Sequence, residues 1–279
     1  MKNINKLILL TFSFLLFTSC AKAQKEESDG TKQTEWLCDS SGQNKVVPRE
    51  VEKLMLAYPA HIKGYDENYI IFNDSSMLIF DDGEEKSFEG MIENPDIQDM
   101  FAFLYLKGDT ITTIEKNYDP GRIRNDAFFK KMYGSNSAEV QEKLVSIIWC
   151  PALVGQKLQI TSENEVDKRL LEVSAELDKH PEWKVYLKSA GTFNWRMVRG
   201  SKNRLSGHSF GIAIDLNTQY SNYWQWDCQC TSENVDLGYK NKIPQGIVDI
   251  FEEHGFIWGG KWYHYDTMHF EYRPELLIK

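Results

Sequence analysis

The spacing of apolar residues predicts two helices in the C-terminal half of the chain. One covers residues 163–188, where charged side chains fill the face opposite four apolar positions: Val166, Leu170, Val173 and Leu177. The other begins at Pro244, a residue favoured in the first turn of a helix, and ends at Gly255, a common C-terminal cap. Both patterns are typical of helices that bury one face.

Earlier in the chain, the pattern predicts a β-hairpin and a turn. Residues 69–72 and 77–80 are apolar runs suited to strands, and the turn-forming residues 73–76 join them. Residues 98–106 are expected to be helical or buried. Residues 119–121 read Asp-Pro-Gly, which is a turn signal.

Two further alternating stretches carry polar residues that can do chemistry. Over residues 210–216, large apolar side chains share one face of a predicted strand, and Asp215 shares the other with a glycine and an alanine. A carboxylate among such small side chains leaves room for a ligand beside it. Over residues 268–272, the alternation puts His269 and Glu271 on one side.

Composition and charge narrow the class of protein. The chain has 279 residues, of which 42% are hydrophobic and 26% are charged, as in ordinary globular proteins. Its formal net charge is -9, and no basic stripe stands out. A nucleic-acid partner is therefore not expected.

The N-terminus indicates export. Lys2 and Lys6 give a positive start, an apolar run covers residues 7–17, and Cys20 follows directly after Thr-Ser. This is the pattern of a secretory signal, and the run is shorter than the roughly 20 residues of a transmembrane helix. Cleavage before Cys20 would give a lipoprotein anchored to the membrane, whereas cleavage after Ala23 would release a soluble protein. The position of Cys20 at the end of the apolar run favours the lipid anchor.

The sequence divides into four predicted regions. Residues 1–20 are the signal peptide, and residues 21–45 are a polar, flexible tether. Residues 46–160 form an accessory region to which no motif assigns a role. Residues 161–279 hold the candidate chemistry.

The cysteines suit an oxidising compartment. After Cys20, an even number remains, and at least one disulfide is expected among them because the protein is predicted to leave the cytoplasm: Cys38, Cys150, Cys228 and Cys230.

Two motifs in the C-terminal region together offer the parts of a hydrolytic metal site. Residues 206–215 read S-x-H-x-x-G-x-A-x-D, and residues 266–271 read D-T-M-H-F-E. A zinc peptidase needs three protein ligands and a position left open for water. It also needs a carboxylate to carry a proton and a cation or hydrogen-bond donor to hold the oxyanion.

Together these motifs resemble the zinc D-alanyl-D-alanine carboxypeptidase and dipeptidase family of the VanY type, which also includes cell-wall endopeptidases of phage lysins. The resemblance covers about residues 190–275 and extends to Trp258-Gly-Gly with Trp262. It implies that zinc is held by three ligands: His208, Asp215 and His269.

The resemblance also implies the remaining roles. Asp266 would be the general base and then the general acid, and Arg196 would bind the scissile carbonyl oxygen or its oxyanion. Arg199 and Arg204 compete with Arg196 for that role because they are close to it in sequence. Ser206 would contact the substrate.

Other residues near the second motif matter to the interpretation. The dipeptidases usually have Glu at the base position, so Asp266 brings this chain closer to the endopeptidase and lysin members. Glu271 shares a face with His269 and could support it as a hydrogen-bond partner. His264 is two residues from Asp266 and is a lesser candidate for the pocket.

These observations predict an α+β domain with a small, mainly antiparallel sheet and flanking helices, similar to Hedgehog and DD-peptidase domains, after an N-terminal accessory segment. The expected function is zinc-dependent hydrolysis of amide bonds in peptidoglycan stem peptides in the bacterial cell envelope, with the D-alanyl-D-alanine end as leading substrate. One alternative is an endopeptidase that cuts L-alanyl-D-glutamate bonds. Another is a non-catalytic module that holds cell-wall peptide or a metal, and Asp266 argues against it because a binder needs no proton carrier.

Overall fold

The computed structural model describes Leu37–Cys38, Asn44–Lys45 and residues 47–108, 110, 112–201 and 203–279. The predicted signal peptide, with Cys20, lies outside the described residues, as does most of the predicted tether. No helix in the described ranges combines the length and the apolar character that a membrane crossing requires.

The chain divides into two compact units, Met1–Val46 and Val47–Lys279. In the first unit, strands β1 (Leu37–Cys38) and β2 (Asn44–Lys45) pair antiparallel.

The second unit mixes helices and strands. Its α-helices are α1 (Arg49–Ala57), α2 (Phe88–Glu93), α3 (Asp126–Tyr133), α4 (Ser137–Glu142), α5 (Val166–Leu177), α6 (Trp224–Cys228) and α7 (Gln245–Glu253). Its strands are β3 (Ile62–Asp66), β4 (Tyr69–Phe72), β5 (Met77–Ile79), β6 (Leu144–Trp149), β7 (Gln156–Thr161), β8 (Ala213–Asp215), β9 (Phe256–Trp258) and β10 (His269–Tyr272). Short 3-10 turns cover Gln98–Phe101, Glu163–Glu165, Pro181–Trp183, Gly207–Phe210, Thr218–Tyr220, Gly259–Lys261 and Pro274–Leu276.

The strands form small antiparallel sheets, which confirms the predicted α+β class. β3, β4 and β5 form one three-stranded sheet, β6 and β7 pair as a hairpin, and the order β8-β10-β9 makes the sheet that carries the candidate site. The hairpin predicted over residues 69–80 is confirmed as β4 and β5.

The helix predicted over residues 163–188 is wrong at both ends, since α5 covers Val166–Leu177 alone. It starts late because Asn164 and Glu165 have positive φ. It stops early because the polar stretch that follows leads to Pro181, which disfavours helical backbone in the residue before it. The four predicted apolar positions are nevertheless all fully buried. The helix predicted from Pro244 is confirmed as α7, and Gly255 behind it has a φ of +90°.

The strand predicted over residues 210–216 is shorter than expected. The chain forms a 3-10 turn at Gly207–Phe210, and Gly211 then takes a left-handed conformation with a φ of +66°. Only Ala213–Asp215 pairs as a strand. The glycine turns the chain so that the residues before it leave the sheet.

A large hydrophobic core runs through the second unit. Residues from both sides of the predicted 160/161 boundary contribute to it, including Val51 and Phe128 on one side and Leu170, Phe210 and Phe251 on the other. The accessory and C-terminal regions therefore bury apolar surface against each other, which is the main favourable term in folding.

Candidate metal centre and active site

Strand pairing brings the two halves of the candidate site together. His269 in β10 lies directly opposite Asp215 in β8. Opposed residues of an antiparallel pair project to the same face, so the imidazole and the carboxylate meet. His208 reaches the same point from the 3-10 turn that precedes β8.

The three side chains place one donor atom each around a single point. His208 Nε2 and His269 Nδ1 are 3.2 Å apart, and each is 3.1 Å from Asp215 Oδ1. Ligand atoms around a tetrahedral zinc ion with bonds near 2.05 Å are about 3.3 Å apart. The spacing of this trio therefore fits a single metal ion.

Hydrogen bonds fix the two imidazoles from behind. His208 Nδ1 lies against the carbonyl oxygen of Thr192, so it carries the proton and leaves Nε2 free to coordinate. His269 Nε2 is 3.0 Å from Glu271 Oε2, which leaves the Nδ1 of His269 facing His208 and Asp215. Such support orients ligating histidines and makes them better donors.

The site attracts positive charge. Burial alone would raise the pKa of Asp215, but His208 and His269 hold it well below its ordinary value. Burial lowers the pKa of His269, yet Asp215 and Glu271 outweigh burial and raise it to about 10. A metal cation at this point would meet the same favourable field.

Glu271 is itself held in place. Its Oε2 accepts from Arg124 Nη1 at 3.0 Å, and Arg273 Nη1 lies 3.5 Å from Oε1. Burial would raise the pKa of Glu271. The nearby positive charges, of which Arg124 has the largest effect, outweigh burial and lower this pKa to about 2. Gly207 permits this approach, because a Cβ there would lie 2.4 Å from Glu271 Oε2.

Asp266 faces the same pocket as the trio. Its backbone is fixed because its N–H donates to Gly259 O at 3.0 Å and its carbonyl oxygen accepts from the His269 N–H at 3.1 Å. Its buried Oδ1 has no hydrogen-bond partner among the described residues. Burial, and then the charge of Asp215, raises the pKa of Asp266 to about 7. A carboxyl group so tuned can take up and return a proton near neutral pH.

Residues 199–272 match a family model described as D-alanyl-D-alanine carboxypeptidase. This segment is similar to that family, and it covers about a quarter of the chain. The resemblance inferred from the two motifs is thereby confirmed, and the match supports a peptidase that acts on cell-wall peptides. Comparison with curated proteins gave no match, and comparison with solved structures gave none. The finer likeness to Hedgehog and DD-peptidase domains stays a prediction.

The carboxypeptidase-family segment contains the three candidate ligands and Asp266, whereas Arg196 lies before it. Arg196 and Ser206 nevertheless line the pocket of the trio. Ser206 N–H donates to Arg196 O at 3.0 Å, and Arg196 N–H donates to Ser209 Oγ at 3.0 Å. These backbone bonds bring the two predicted residues together, and the Arg196 side chain remains exposed.

Reasoning from sequence missed residues that reach this pocket from outside the two motifs. Arg122 and Arg124 come from the accessory region, and Tyr223 pairs its backbone with Asp266. A signal existed, because the two arginines follow the Asp-Pro-Gly turn at positions two apart. His264 also lines the pocket, although its ring is buried between Asp119 Oδ2 at 2.7 Å and Glu233 O at 2.9 Å.

A disulfide links two cysteines that are two positions apart in the sequence. Cys228 and Cys230 are bonded to each other, which confirms the expectation of at least one disulfide. Cys150 is a free, buried thiol. The side chain of Cys38 lies outside the described residues.

Proposed function

We propose that this protein is a zinc metallopeptidase that removes the terminal D-alanine from D-alanyl-D-alanine ends of peptidoglycan stem peptides. The observation that carries the proposal is the convergence of one donor atom each from His208, Asp215 and His269 within 3.2 Å of one another. Beside them lies Asp266, whose Oδ1 has no hydrogen-bond partner among the described residues. The family of residues 199–272 supports the substrate class.

The donor set suits zinc. Two imidazole nitrogens and one carboxylate oxygen are common ligands of catalytic zinc, which keeps a further position open for water. His208 Nε2, Asp215 Oδ1 and His269 Nδ1 would hold the ion. When bound, zinc makes water a stronger acid and draws electron density from the carbonyl group of the scissile amide.

Asp266 would move the proton. Its carboxylate takes a proton from water as the water oxygen bonds to the carbonyl carbon, and a tetrahedral species forms. The same carboxyl group then gives that proton to the amide nitrogen as the C–N bond breaks. The products are the shortened peptide acid and free D-alanine. A pKa near 7 suits both halves of this cycle.

Arg196 and Ser206 would act on the substrate. The Arg196 guanidinium lines the pocket and can hold the negative charge that develops on the carbonyl oxygen. Ser206 is buried beside it and can donate a hydrogen bond to the peptide. Both residues stand next to His208 because the backbone bonds between residues 196 and 206 close the segment.

An endopeptidase that cuts L-alanyl-D-glutamate is the second candidate, and Asp in place of the usual Glu at position 266 favours it. A module that only binds cell-wall peptide is a third candidate. A carboxylate oxygen that has no hydrogen-bond partner among the described residues, in a group whose pKa is raised, is a cost that a binder would not need.

Digestion of purified peptidoglycan separates the three candidates. The proposed carboxypeptidase releases single D-alanine residues, and mass spectrometry shows stem peptides shortened by one residue. Cleavage between L-alanine and D-glutamate identifies the endopeptidase. Binding without any released fragment identifies the module. Addition of a chelator should abolish either cleavage.

We further propose that the protein acts in the cell envelope, anchored through a lipid on Cys20. The apolar run before Cys20 and the polar stretch after it support this location. The Cys20→Ser protein should lose its membrane association. If it is processed and retained like the native protein, cleavage after Ala23 replaces the lipid anchor.

A further inference from the structure

Three arginines are buried together in the wall of the pocket. They come from two distant stretches of chain and are 5%, 5% and 3% exposed: Arg122, Arg124 and Arg204. All three line the pocket that also holds the metal-donor trio and Asp266. Guanidinium groups this deeply buried are rare unless an anion pairs with them.

The guanidinium group of Arg122 is already bonded to two carboxylates. Its Nη1 and Nη2 bond both oxygens of Glu233 at 2.8 Å, and Nη1 also bonds Asp119 Oδ2 at 2.9 Å. The carboxylate of Glu233 is therefore already engaged by a two-point contact.

Arg204 and Arg124 are left short of partners. Arg204 Nη2 reaches Glu233 Oε1 only at 3.4 Å, and its Nε and Nη1 have no hydrogen-bond partner among the described residues. Arg124 Nη1 bonds Glu271, while its Nε has no partner in the same part of the chain. Unpaired, buried N–H groups of a cation carry a large desolvation cost.

The positive charges of the three guanidinium groups also repel one another. Burial, followed by the charges of Arg122 and Arg124, lowers the pKa of Arg204 to about 10. Among the carboxylates that contact the three arginines, Asp119 and Glu271 are also engaged by His264 and His269. An added anion would meet unused donors and relieve the repulsion between the guanidiniums.

We propose that Arg204, with Arg124 behind it, forms a subsite that binds a free carboxylate of the substrate next to the scissile amide. A carboxylate matches the planar fork of a guanidinium, and cell-wall stem peptides are rich in free carboxylates. The inference rests on the proposed peptidase function and adds to it. It makes the substrate an acid that is recognised close to the bond that is cut.

Two carboxylates could fill this subsite. One is the C-terminal carboxylate of the D-alanine that leaves, and the other is the α-carboxylate of a D-glutamate linked through its side chain. Two pairs of synthetic peptides distinguish them. The first pair ends in D-alanyl-D-alanine, as free acid or as amide. The second pair contains L-alanyl-γ-D-glutamate, with the α-carboxylate free or amidated.

Arg204→Met is the decisive variant, because Arg204 contacts none of the three metal-donor residues and methionine keeps much of its bulk. Arg49→Met is the matched control, since Arg49 is exposed at the start of α1, away from the pocket. For the acid of one pair, kcat/KM should fall about 10- to 100-fold in Arg204→Met, chiefly through KM. The corresponding amide should be a poor substrate for the native protein and should change little. Arg49→Met should behave as the native protein does.

A binding measurement separates this subsite from the peptidase function. Calorimetry with N-acetyl-D-alanine, N-acetyl-D-glutamate and their α-amides, on zinc-loaded and on chelator-treated protein, needs no turnover. Binding of at least one acid over its amide in both forms, lost in Arg204→Met, supports the subsite even if no peptide is cut. Equal cleavage of acid and amide in both peptide pairs overturns the subsite and leaves the peptidase standing. Equal, or absent, binding of each acid and its amide overturns it as well.

A purely structural role for Arg204 predicts a different result. If Arg204 serves only to hold the fold, Arg204→Met should melt at a lower temperature than the native protein and lose acid and amide cleavage equally. The proposed role predicts a melting temperature that is unchanged or higher, because a repelled, unpaired cation has been removed. Arg204→Lys should restore part of the preference for the acid, since it keeps the charge and loses the planar fork.

Discussion

His269 and Glu271 lie two residues apart on one face of β10, with Nε2 and Oε2 separated by 3.0 Å. The contact fixes the ring so that Nδ1 faces Asp215 and His208. Arg124 and Arg273 in turn hold Glu271. The geometry of the donor trio therefore depends on a charge network behind it as well as on the trio itself.

Replacing Glu271 tests that dependence. Glu271→Gln should weaken zinc affinity by about 10- to 100-fold, the usual effect of losing a partner behind a ligating histidine. Competition with a chelator of known affinity measures the change. Glu176→Gln is the control, because Glu176 contacts His254 at 2.8 Å away from the pocket. Unchanged affinity in Glu271→Gln would show that the contact does not support the metal.

The purified protein should hold about one zinc ion per chain at a site with three protein ligands. His208→Ala and His269→Ala should each lose most of that zinc, as measured by elemental analysis after dialysis. His180→Ala should keep it, since His180 is half-buried outside the pocket and contacts Glu182 instead. Full zinc retention in both pocket variants would contradict the ligand assignment.

Asp266→Asn should fold and keep its zinc, because Asp266 is not among the three donors. Turnover should fall by about 100- to 10,000-fold, since the amide cannot take up a proton. Peptide hydrolysis and zinc content are measured on the same sample. Asp249→Asn, on the exposed face of α7, should retain native activity. Loss of zinc in Asp266→Asn would make Asp266 a ligand, and native turnover would remove its proton role.

Arg196→Ala should reduce kcat by about 100- to 1,000-fold with a smaller effect on KM, as expected for a group that holds charge mainly in the transition state. Steady-state kinetics on a peptide ending in D-alanyl-D-alanine supplies both constants. Arg169→Ala, on the surface of α5, is the matched control. A rise in KM alone would make Arg196 a binding residue, and Arg199 or Arg204 would then become candidates for the oxyanion.

Cys150 should resist alkylation in the native protein at pH 8. Burial, and then the charge of Asp178, raises the pKa of its thiol to about 12 from an ordinary 9.0. This shift stabilises the folded state fully below pH 9, and the contribution is lost as the pH rises through about 12. Peptide mapping after iodoacetamide treatment should find Cys150 modified only when the protein is unfolded in denaturant. Rapid modification of the folded protein would contradict the burial of the thiol.

The metal-donor trio could be predicted from sequence because its signal is local. The spacing from His208 to Asp215 spans one turn and one short strand, and the alternation around His269 marks the face that it shares with Glu271. These patterns involve only residues that are close in sequence. The prediction of the three donor residues therefore holds even though the strand around Asp215 is shorter than the sequence suggested.

The turn before Arg122 and Arg124 was visible in the sequence, but their meeting with Arg204 could not be found in this way. Arg122 and Arg204 become neighbours only through packing of the accessory region against the C-terminal region, and both then contact Glu233. The start of α5 was misjudged for a different reason. The positive φ of Asn164 and Glu165 reflects local backbone geometry that the apolar pattern does not encode.

The turn at residues 119–121 delivers two arginines to a pocket whose three metal-donor residues and Asp266 lie within residues 199–272. If the proposed subsite holds, part of the substrate recognition is thus encoded outside the stretch that encodes the metal donors. Substitutions at Arg124 would then affect both the acid that is bound and, through Glu271, the support of His269. Proteins that share only the matched segment could therefore differ in the acid that they bind without any change in their hydrolytic motif.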